Sequence, residues 1–333
     1  MPEGKVRFLP RVFSRHSHSM ATFKCSLLFL VVFLNTALSV ADEQPTQIEG
    51  IGPARAASKL HTGFDFTEGP AVDPAGNIFF TDVPRSRIYQ SDTAGQLTTF
   101  LEGTQGCNGL MFDAQGRLLC CQSQVGRVIA IDVTNKKIEV IADQYDGKRF
   151  TNPNDLVVDR RGGVYFTDPF FGEGEQVQDK EGVYYVTPAG TVTRLVDDQP
   201  QPNGVLLSPD EKTLYVLLSG RGALMAYPIE RPGQIGPGTP LGEVPRLGDG
   251  LTVDTAGNLY LTQPPLRAIL VLSPTGKTLG MIRVPEEPSN CTFGGVDMKT
   301  LFVTARTSLY AFPMAARGHR FAASAAAPKP APE

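Results

Sequence analysis

Residues 66–77 read Phe66-Thr67-Glu68-Gly69-Pro70-Ala71-Val72-Asp73-Pro74-Ala75-Gly76-Asn77, and this stretch decides the predicted fold because its pattern returns along the chain. The pattern is a polar residue, a glycine, a short apolar run, an Asp-x-x-Gly turn and a second apolar run. The leading polar residues of the six copies, called the axial set below, are Glu68, Asn108, Asn154, Asn203, Asp249 and Asn290. Their spacings are 40, 46, 49, 46 and 41 residues, and such a period is typical of one four-stranded propeller blade.

The other runs within each repeat favour strands. In the first repeat, the runs at 78–81, 87–90 and 97–101 are rich in β-branched and aromatic residues and are bounded by turn residues, as strands are. No stretch of the repeats shows a sustained apolar period of 3.6 residues, which a helix would need. The sequence therefore predicts an all-β fold over residues 63–313, a six-bladed β-propeller with four-stranded blades around a central channel.

The two ends of the chain differ from the repeats. Residues 1–41 indicate a secretory signal peptide, because an apolar run follows Lys24 and Ser39-Val40-Ala41 resembles a cleavage site. An uncleaved anchor is the alternative, and Met20 is a second candidate start. We expect an exported protein, periplasmic or secreted, with no stable membrane span after cleavage. Residues 42–62 are the candidate for a strand that closes the ring, and the Ala- and Pro-rich residues 314–333 predict a disordered tail.

Charge and histidine content exclude several functions. The 333 residues carry a net charge of −3 with no basic patch, which argues against nucleic acid as a partner. The four histidines are His16, His18, His61 and His319, so the repeats from 62 to 318 contain none. A Ser-His-Asp triad, a His-activated cysteine and a His-rich zinc site are hard to build without histidine. Any chemistry in the repeats must rest on carboxylates, amides, hydroxyls or a metal.

The cysteines outside the leader are Cys107, Cys120, Cys121 and Cys291. Their spacings form no familiar disulfide framework, although export would permit disulfides. We expect all four to be small core residues.

The axial set predicts a cation site. Innermost strands line the channel of a propeller, so equivalent positions of six blades should meet near one axis. All six side chains carry oxygen, which suits Ca²⁺ best, with Mg²⁺, Mn²⁺ and Zn²⁺ as alternatives. Asp249 is the candidate general base, since a carboxylate beside a polarised carbonyl can deprotonate the attacking water. A single Asn-Gly is usually only a turn, and a purely structural calcium ion is a further alternative.

Several motifs in order resemble the SMP-30/gluconolactonase family over residues 60–313. They are Glu68-Gly69-Pro70, Asn152-Pro153-Asn154-Asp155, Pro202-Asn203-Gly204, Asp249-Gly250 and Asn290-Cys291-Thr292-Phe293-Gly294-Gly295. The resemblance implies a six-bladed propeller with one divalent metal, usually calcium, and hydrolysis of a lactone or ester, which makes the chain a carboxylic ester hydrolase. It maps the metal ligands to Glu68, Asn154, Asn203 and Asp249, and the acid/base carboxylate to Asp249. It maps substrate contacts to Asn152, Asn108 and Asn154.

Two departures from the family pattern leave the small-molecule substrate open. Asn152 stands where mammalian members carry arginine, and Cys121-Gln122-Ser123 stands where many gluconolactonases carry an acidic residue and histidine. The first hypothesis is a metal-dependent lactonase that opens a sugar lactone. The second is a non-catalytic propeller that binds a sugar or a protein and holds a structural calcium ion. The third is organophosphate hydrolysis at the same site.

Overall fold

The structure is a computed structural model that describes residues 47–172 and 174–321. The predicted signal peptide, residues 1–41, lies outside this part of the chain. The strands are β1 (Ser58–Thr62), β2 (Thr67–Val72), β3 (Ile78–Asp82), β4 (Arg87–Ser91), β5 (Leu97–Glu102), β6 (Cys107–Phe112), β7 (Arg117–Gln122), β8 (Arg127–Asp132), β9 (Ile138–Ala142), β10 (Gln144–Tyr145), β11 (Lys148–Arg149), β12 (Leu156–Val158), β13 (Val164–Asp168), β14 (Gly182–Val186), β15 (Val192–Val196), β16 (Pro202–Leu207), β17 (Thr213–Leu218), β18 (Ala223–Arg231), β19 (Gln234–Ile235), β20 (Thr239–Pro240), β21 (Leu251–Val253), β22 (Leu259–Gln263), β23 (Ala268–Leu272), β24 (Thr278–Arg283), β25 (Pro288–Gly294), β26 (Thr300–Ala305) and β27 (Ser308–Pro313).

Six antiparallel sheets form the six blades of a β-propeller, which confirms the predicted fold class. Blades one, two, three and five have the orders β2-β3-β4-β5, β6-β7-β8-β9, β12-β13-β14-β15 and β21-β22-β23-β24. Blade four, β16-β17-β18-β19, gains β20 as an extra partner of β18, and β10 and β11 form a separate hairpin. The described helical residues form a single 3₁₀ turn, Pro264–Leu266. None of the described helices is long and apolar enough to cross a membrane.

The core consists of six apolar clusters, and each cluster lies between two neighbouring blades. Between blades one and two, for example, Phe79 and Ile88 pack with Leu118 and Ile129. The other five clusters join the remaining neighbours in the same way, including blade six with blade one. Burial of each large side chain contributes about 1.5–3 kcal/mol, so each blade depends on its neighbours for stability.

The ring is closed by β1, which comes from the segment 42–62 and pairs antiparallel with β27 in blade six. Glu286 holds this closure, because its carboxylate accepts hydrogen bonds from Ser308 Oγ and Tyr310 Oη, both at 2.7 Å, and from Lys59 Nζ at 3.0 Å. Burial alone would raise the pKa of Glu286, but these donors outweigh it and lower the pKa to about 2. The carboxylate therefore stabilises the closed ring in its ionised form.

The chain continues in ordered contact beyond β27, so the predicted disordered tail is wrong for residues 314–321. The amide of Ala315 donates to Ile51 O at 3.0 Å, that of Gly318 to Met298 O at 2.8 Å, and that of His319 to Val253 O at 3.0 Å. Tails rich in Ala and Pro often lack partners, but here backbone carbonyls of two turns and of β21 supply them. Residues 322–333 lie outside the described part of the chain.

All four cysteines are buried, as predicted for core residues, but two of them also form a disulfide that their spacing did not indicate. Cys107 and Cys120 form a disulfide with Cα atoms 5.8 Å apart, whereas Cys121 and Cys291 are free and buried. In the pairing of β6 with β7, Cys107 lies opposite Gln122 and Leu110 lies opposite Cys120, with a bulge between Cys107 and Leu110. The sequence spacing alone did not reveal this bulge, which brings the two thiols within bonding reach.

Candidate metal and lactone site

The axial residues lie where the innermost strands begin or bulge. The pairing of β2, β6 and β16 with the second strand of each blade shifts register beside Glu68, Asn108 and Asn203. In blades three and five, pairing starts only at Leu156 and Leu251, just after Asn154 and Asp249. A bulge or strand start re-aims a side chain, which is how short strands can present these residues toward the axis.

The glycines after the axial residues allow neighbouring innermost strands to approach closely. A Cβ atom on Gly69 would lie 2.1 Å from Asn108 O, and one on Gly204 would lie 2.6 Å from Asp249 O. Amides at these positions also donate across blades, from Gly109 to Asn154 O at 2.8 Å and from Gly204 to Asp249 O at 3.0 Å. The Asn-Gly and Asp-Gly pairs are therefore close-packing positions at the axis.

Asp155 occupies the glycine position of blade three, and its carboxylate lies at the axis. Its Oδ1 lies 2.6 Å from where a Cβ on Gly109 would be, so that glycine leaves the room that Asp155 fills. Asn290 Nδ2 lies 3.1 Å from Glu68 Oε2 and 3.5 Å from Asp155 Oδ2, and thus bridges the two carboxylates. Asp155 was not among the predicted site residues, although it is a carboxylate at a position where four of the six copies have glycine.

Threonines on the second strands fix the backbone of the axial residues. Thr81 Oγ1 donates to Asn108 O at 3.1 Å, and Thr167 Oγ1 donates to Asn203 O at 2.7 Å, each from one blade to the next. Both threonines are fully buried, and a buried hydrogen bond contributes about 0.5–1.5 kcal/mol. These bonds hold the carbonyls of the axial residues, so their side chains start from fixed positions.

The carboxyl groups of Glu68, Asp155 and Asp249 lie close enough to influence one another's pKa. Burial raises the pKa of Glu68 well above its usual range, and the nearby carboxyls of Asp249 and Asp155 raise it further. Burial also raises the pKa of Asp155 to about 6 and that of Asp249 to about 7. Like charges gathered in a buried site oppose ionisation, so this site favours a bound positive charge.

Asn203 and Asp249 are linked through Ser219. Asn203 Nδ2 donates to Ser219 Oγ at 3.1 Å, and Ser219 Oγ donates in turn to the carbonyl of Gly248, which precedes Asp249. The Asn203 amide also lies beside the Asp249 carboxyl and partly offsets the rise in the pKa of Asp249. The nitrogen of the Asn203 amide is thus committed to protein partners, which leaves its oxygen for a ligand.

The donor set fits a hard cation. Asn108 Oδ1 is buried and has no hydrogen-bond partner in the described structure, and an unpartnered buried acceptor is costly unless a ligand satisfies it. The axial carboxylates and amides offer oxygen, the ligand atom that Ca²⁺ and Mg²⁺ prefer. Among residues 47–172 and 174–321, no three His, Cys, Asp or Glu side chains form a group with metal-holding geometry. The predicted ligand set does not require such a group, because it contains two carboxylates and two amides.

Asn152 lies beside the second blade, at the start of blade three. Its backbone amide donates to Asp168 Oδ1 at 2.6 Å. In the amide orientation that satisfies its neighbours, the side-chain nitrogen donates to Ser123 O at 3.1 Å and to Thr151 O at 3.2 Å. Asn152 can therefore offer only its oxygen to a substrate.

Asn154 is partly exposed, and its backbone amide donates to Thr167 O at 2.9 Å. Its assignment as a metal ligand stays a prediction.

A cavity of about 170 Å³ is lined in part by Asp155 and Asn290. Its wall includes apolar residues of the innermost strands and the C-terminal residues His319, Arg320 and Phe321. Of the three axial carboxyl residues, only Asp155 lines this cavity, whose wall is both polar and apolar.

Comparison with known proteins gives a consistent result. Residues 66–307 match the model of the SMP-30/Gluconolactonase/LRE-like region. A gluconolactonase of Zymomonas mobilis is 30% identical over 279 residues, which cover 74% of this chain and 78% of that protein. The solved structure of a gluconolactonase from Xanthomonas campestris is 31% identical, with a TM-score of 0.73, over 79% of this chain and 90% of that one.

A more distant structure shares the fold alone. It is regucalcin from Agrobacterium tumefaciens, described as a calcium-binding protein, with 21% identity and a TM-score of 0.69 over 80% of this chain and 96% of that one. The closer matches cover most of both chains and span all six blades. The chain therefore belongs to the SMP-30/gluconolactonase family.

Proposed function

We propose that this protein is a metal-dependent lactonase whose single divalent cation, preferably Ca²⁺, is held at the axis by Glu68, Asn154, Asn203 and Asp249. The observation that supports the proposal most is the gathering of the Glu68, Asp155 and Asp249 carboxyls in one buried site that lowers their acidity. Its relatives include proteins described as gluconolactonases and as a lactonase. The substrate class we propose is a sugar lactone or a related ester.

Three residues of the chain have separate roles in the proposed reaction, one in proton transfer and two in orienting the substrate. When bound, the cation would polarise the carbonyl of the lactone. Asp249 accepts a proton from the water that attacks the carbonyl carbon, and the same proton reaches the ring oxygen as its bond to that carbon breaks. Asn108 and Asn152 orient the substrate through their side-chain oxygens, which accept hydrogen bonds from its hydroxyl groups. The product is the open-chain hydroxy acid.

The test is turnover of glucono-1,5-lactone, followed by acid release, with calcium and after treatment with a chelator. We expect chelation to abolish turnover and added Ca²⁺ to restore it. We expect Asp249→Ala to lower kcat/KM by about 10²–10⁴-fold, the usual contribution of a general base. Activity that persisted both in the chelator and in Asp249→Ala would contradict the proposed mechanism.

A panel of substrates separates the alternatives. Aryl esters and a fluorophosphate should be turned over more slowly than the lactone if the site is built for lactones. If calcium binds tightly and raises the melting temperature, but no lactone, ester or organophosphate is hydrolysed, the protein is a binding propeller with a structural ion. That outcome would leave the fold and family unchanged, since fold does not fix function.

We also propose that the protein works outside the cytoplasm. The Cys107–Cys120 disulfide supports this proposal, because disulfides persist in oxidising compartments. Fractionation of cells that express the full chain, with mass measurement of the exported product, tests it. A product found in the cytoplasm with its leader intact would contradict it.

A further inference from the structure

We infer that Ser219 is a positioning residue, whose hydroxyl sets the orientation of the Asn203 amide and joins it to the chain at Asp249. The inference rests on the proposed function, because it assigns Asn203 and Asp249 to the cation site. It concerns a residue outside the predicted ligand set, in the loop that follows β17 of blade four. Ser219 acts on the cation only through the two residues that it holds.

The geometry leaves the Asn203 amide little choice of orientation. Its nitrogen lies 3.1 Å from Ser219 Oγ. The Ser219 hydroxyl has one hydrogen, which it gives to the Gly248 carbonyl, so its oxygen must act as acceptor toward Asn203. An amide flipped by 180° would place its oxygen against this acceptor. The hydroxyl therefore holds Asn203 Nδ2 together with the neighbouring Asp249 carboxyl, which leaves Oδ1 free for a ligand.

The same hydroxyl links two blades at the site. Asn203 belongs to β16 of blade four, whereas Gly248 directly precedes Asp249 at the start of blade five. The amide of Gly204 also donates to Asp249 O at 3.0 Å. Two consecutive residues of one blade are thus tied to two consecutive residues of the next. Loss of the hydroxyl would free the Asn203 side chain and leave the buried Gly248 carbonyl without this donor.

Because the hydrogen bonds of Ser219 are buried, removal of its hydroxyl should change the Ca²⁺ affinity measurably. Ser219 is 5% exposed and Asn203 is 7% exposed, so water has poor access to replace the missing hydroxyl. Groups that orient metal ligands typically change metal affinity 10–100-fold when they are removed. We therefore expect Ser219→Ala to weaken Ca²⁺ binding by at least about tenfold.

The experiment measures the Ca²⁺ dissociation constant by calorimetric titration for the wild type, Ser219→Ala, Ser219→Thr and Ser208→Ala. Ser208 is the matched control, because it is also a buried serine of blade four, and its hydroxyl donates to Asp210 Oδ1 at 2.7 Å in a turn at the opposite end of β16. We expect Ser219→Thr, which keeps the hydroxyl, to bind within about threefold of the wild type. We expect Ser208→Ala to lower stability without changing Ca²⁺ affinity.

A double-mutant cycle separates positioning from general weakening. In an Asn203→Ala background, Ser219→Ala should have little further effect on Ca²⁺ affinity, because the side chain that it orients is gone. Full additivity of the two losses would overturn the inference, as would wild-type affinity in Ser219→Ala. If Ser219→Ala fails to fold, Ser219→Gly and Asn203→Ala/Ser219→Gly complete the cycle, because glycine also removes the hydroxyl. A wild type that binds no Ca²⁺ would instead refute the proposed function itself.

Discussion

The axis and the closure of the ring hold carboxylates in opposite environments, buried at Glu68 and partly exposed at Glu286. At the axis, Glu68 lies among other carboxyls, and its pKa is raised by burial and by their charge. At the closure, Glu286 receives hydrogen bonds from Lys59, Ser308 and Tyr310, which hold its pKa at about 2. The ionised form of a glutamate is thus disfavoured at the axis and stabilised at the closure. Hydrogen-bond donors of the chain thus stabilise the ionised carboxylate at the closure, whereas burial and neighbouring carboxyls oppose ionisation at the axis, where we propose a bound cation.

The largest effect should come from Glu68→Gln, which keeps the shape of the axial side chain and removes its charge. At a calcium concentration 100 times Kd, the wild type should gain about 2.7 kcal/mol in free energy of unfolding, and the variant should gain almost none. Denaturant unfolding with and without Ca²⁺ measures both values. A variant that calcium stabilised as strongly as the wild type would show that Glu68 is no ligand.

Glu286→Gln should lower the stability of the fold and leave Ca²⁺ binding unchanged. Loss of the charge weakens hydrogen bonds to a carboxylate, each of which contributes about 1.5–3 kcal/mol, and the partly exposed ion pair with Lys59 adds less. We expect the free energy of unfolding to fall by about 1–3 kcal/mol, with Ca²⁺ affinity and kcat/KM unchanged. Unfolding in denaturant and calcium titration of the same preparation check this. A change in Ca²⁺ affinity would mean that closure and axis are not independent.

The smallest effect is a pH dependence at the closure. The pKa of Glu286 is lowered from 4.5 to about 2 on folding, so its contribution to stability is fully present above pH 4.5 and is lost as the pH falls toward 2. The stability difference between wild type and Glu286→Gln should therefore be constant at higher pH and shrink in that acid range. A difference that instead grew below pH 4.5 would contradict the lowered pKa of Glu286.

Much of the fold could be predicted from the sequence, because each blade repeats its own turns and strands. The period of the axial set gave the number of blades and the identity of the innermost strands. The disulfide could not be predicted, since a bulge in β6 decides which thiols meet. The contacts of residues 314–321 were missed as well, because backbone groups from other parts of the chain hold this segment.

The candidate site shows the same division. Glu68 and Asn203 are recognisable in the sequence by their phase in the repeat. Asp155 was overlooked, because its importance comes from the space that Gly109 leaves in the neighbouring blade. Ser219 was also overlooked, since it lies outside the repeated motif and acts through a hydrogen bond to the next blade.

The sequence by itself determined the all-β class, the sixfold repeat and the oxygen-rich character of the axial positions, because these follow from local patterning and residue type. Only the tertiary structure decided which carboxyls share the axis, how their pKa values shift and which hydroxyl orients Asn203. The physical reason is that burial and electrostatic interaction depend on distances between blades. Residues that are forty or more positions apart in the chain come into contact only when the blades pack around the ring.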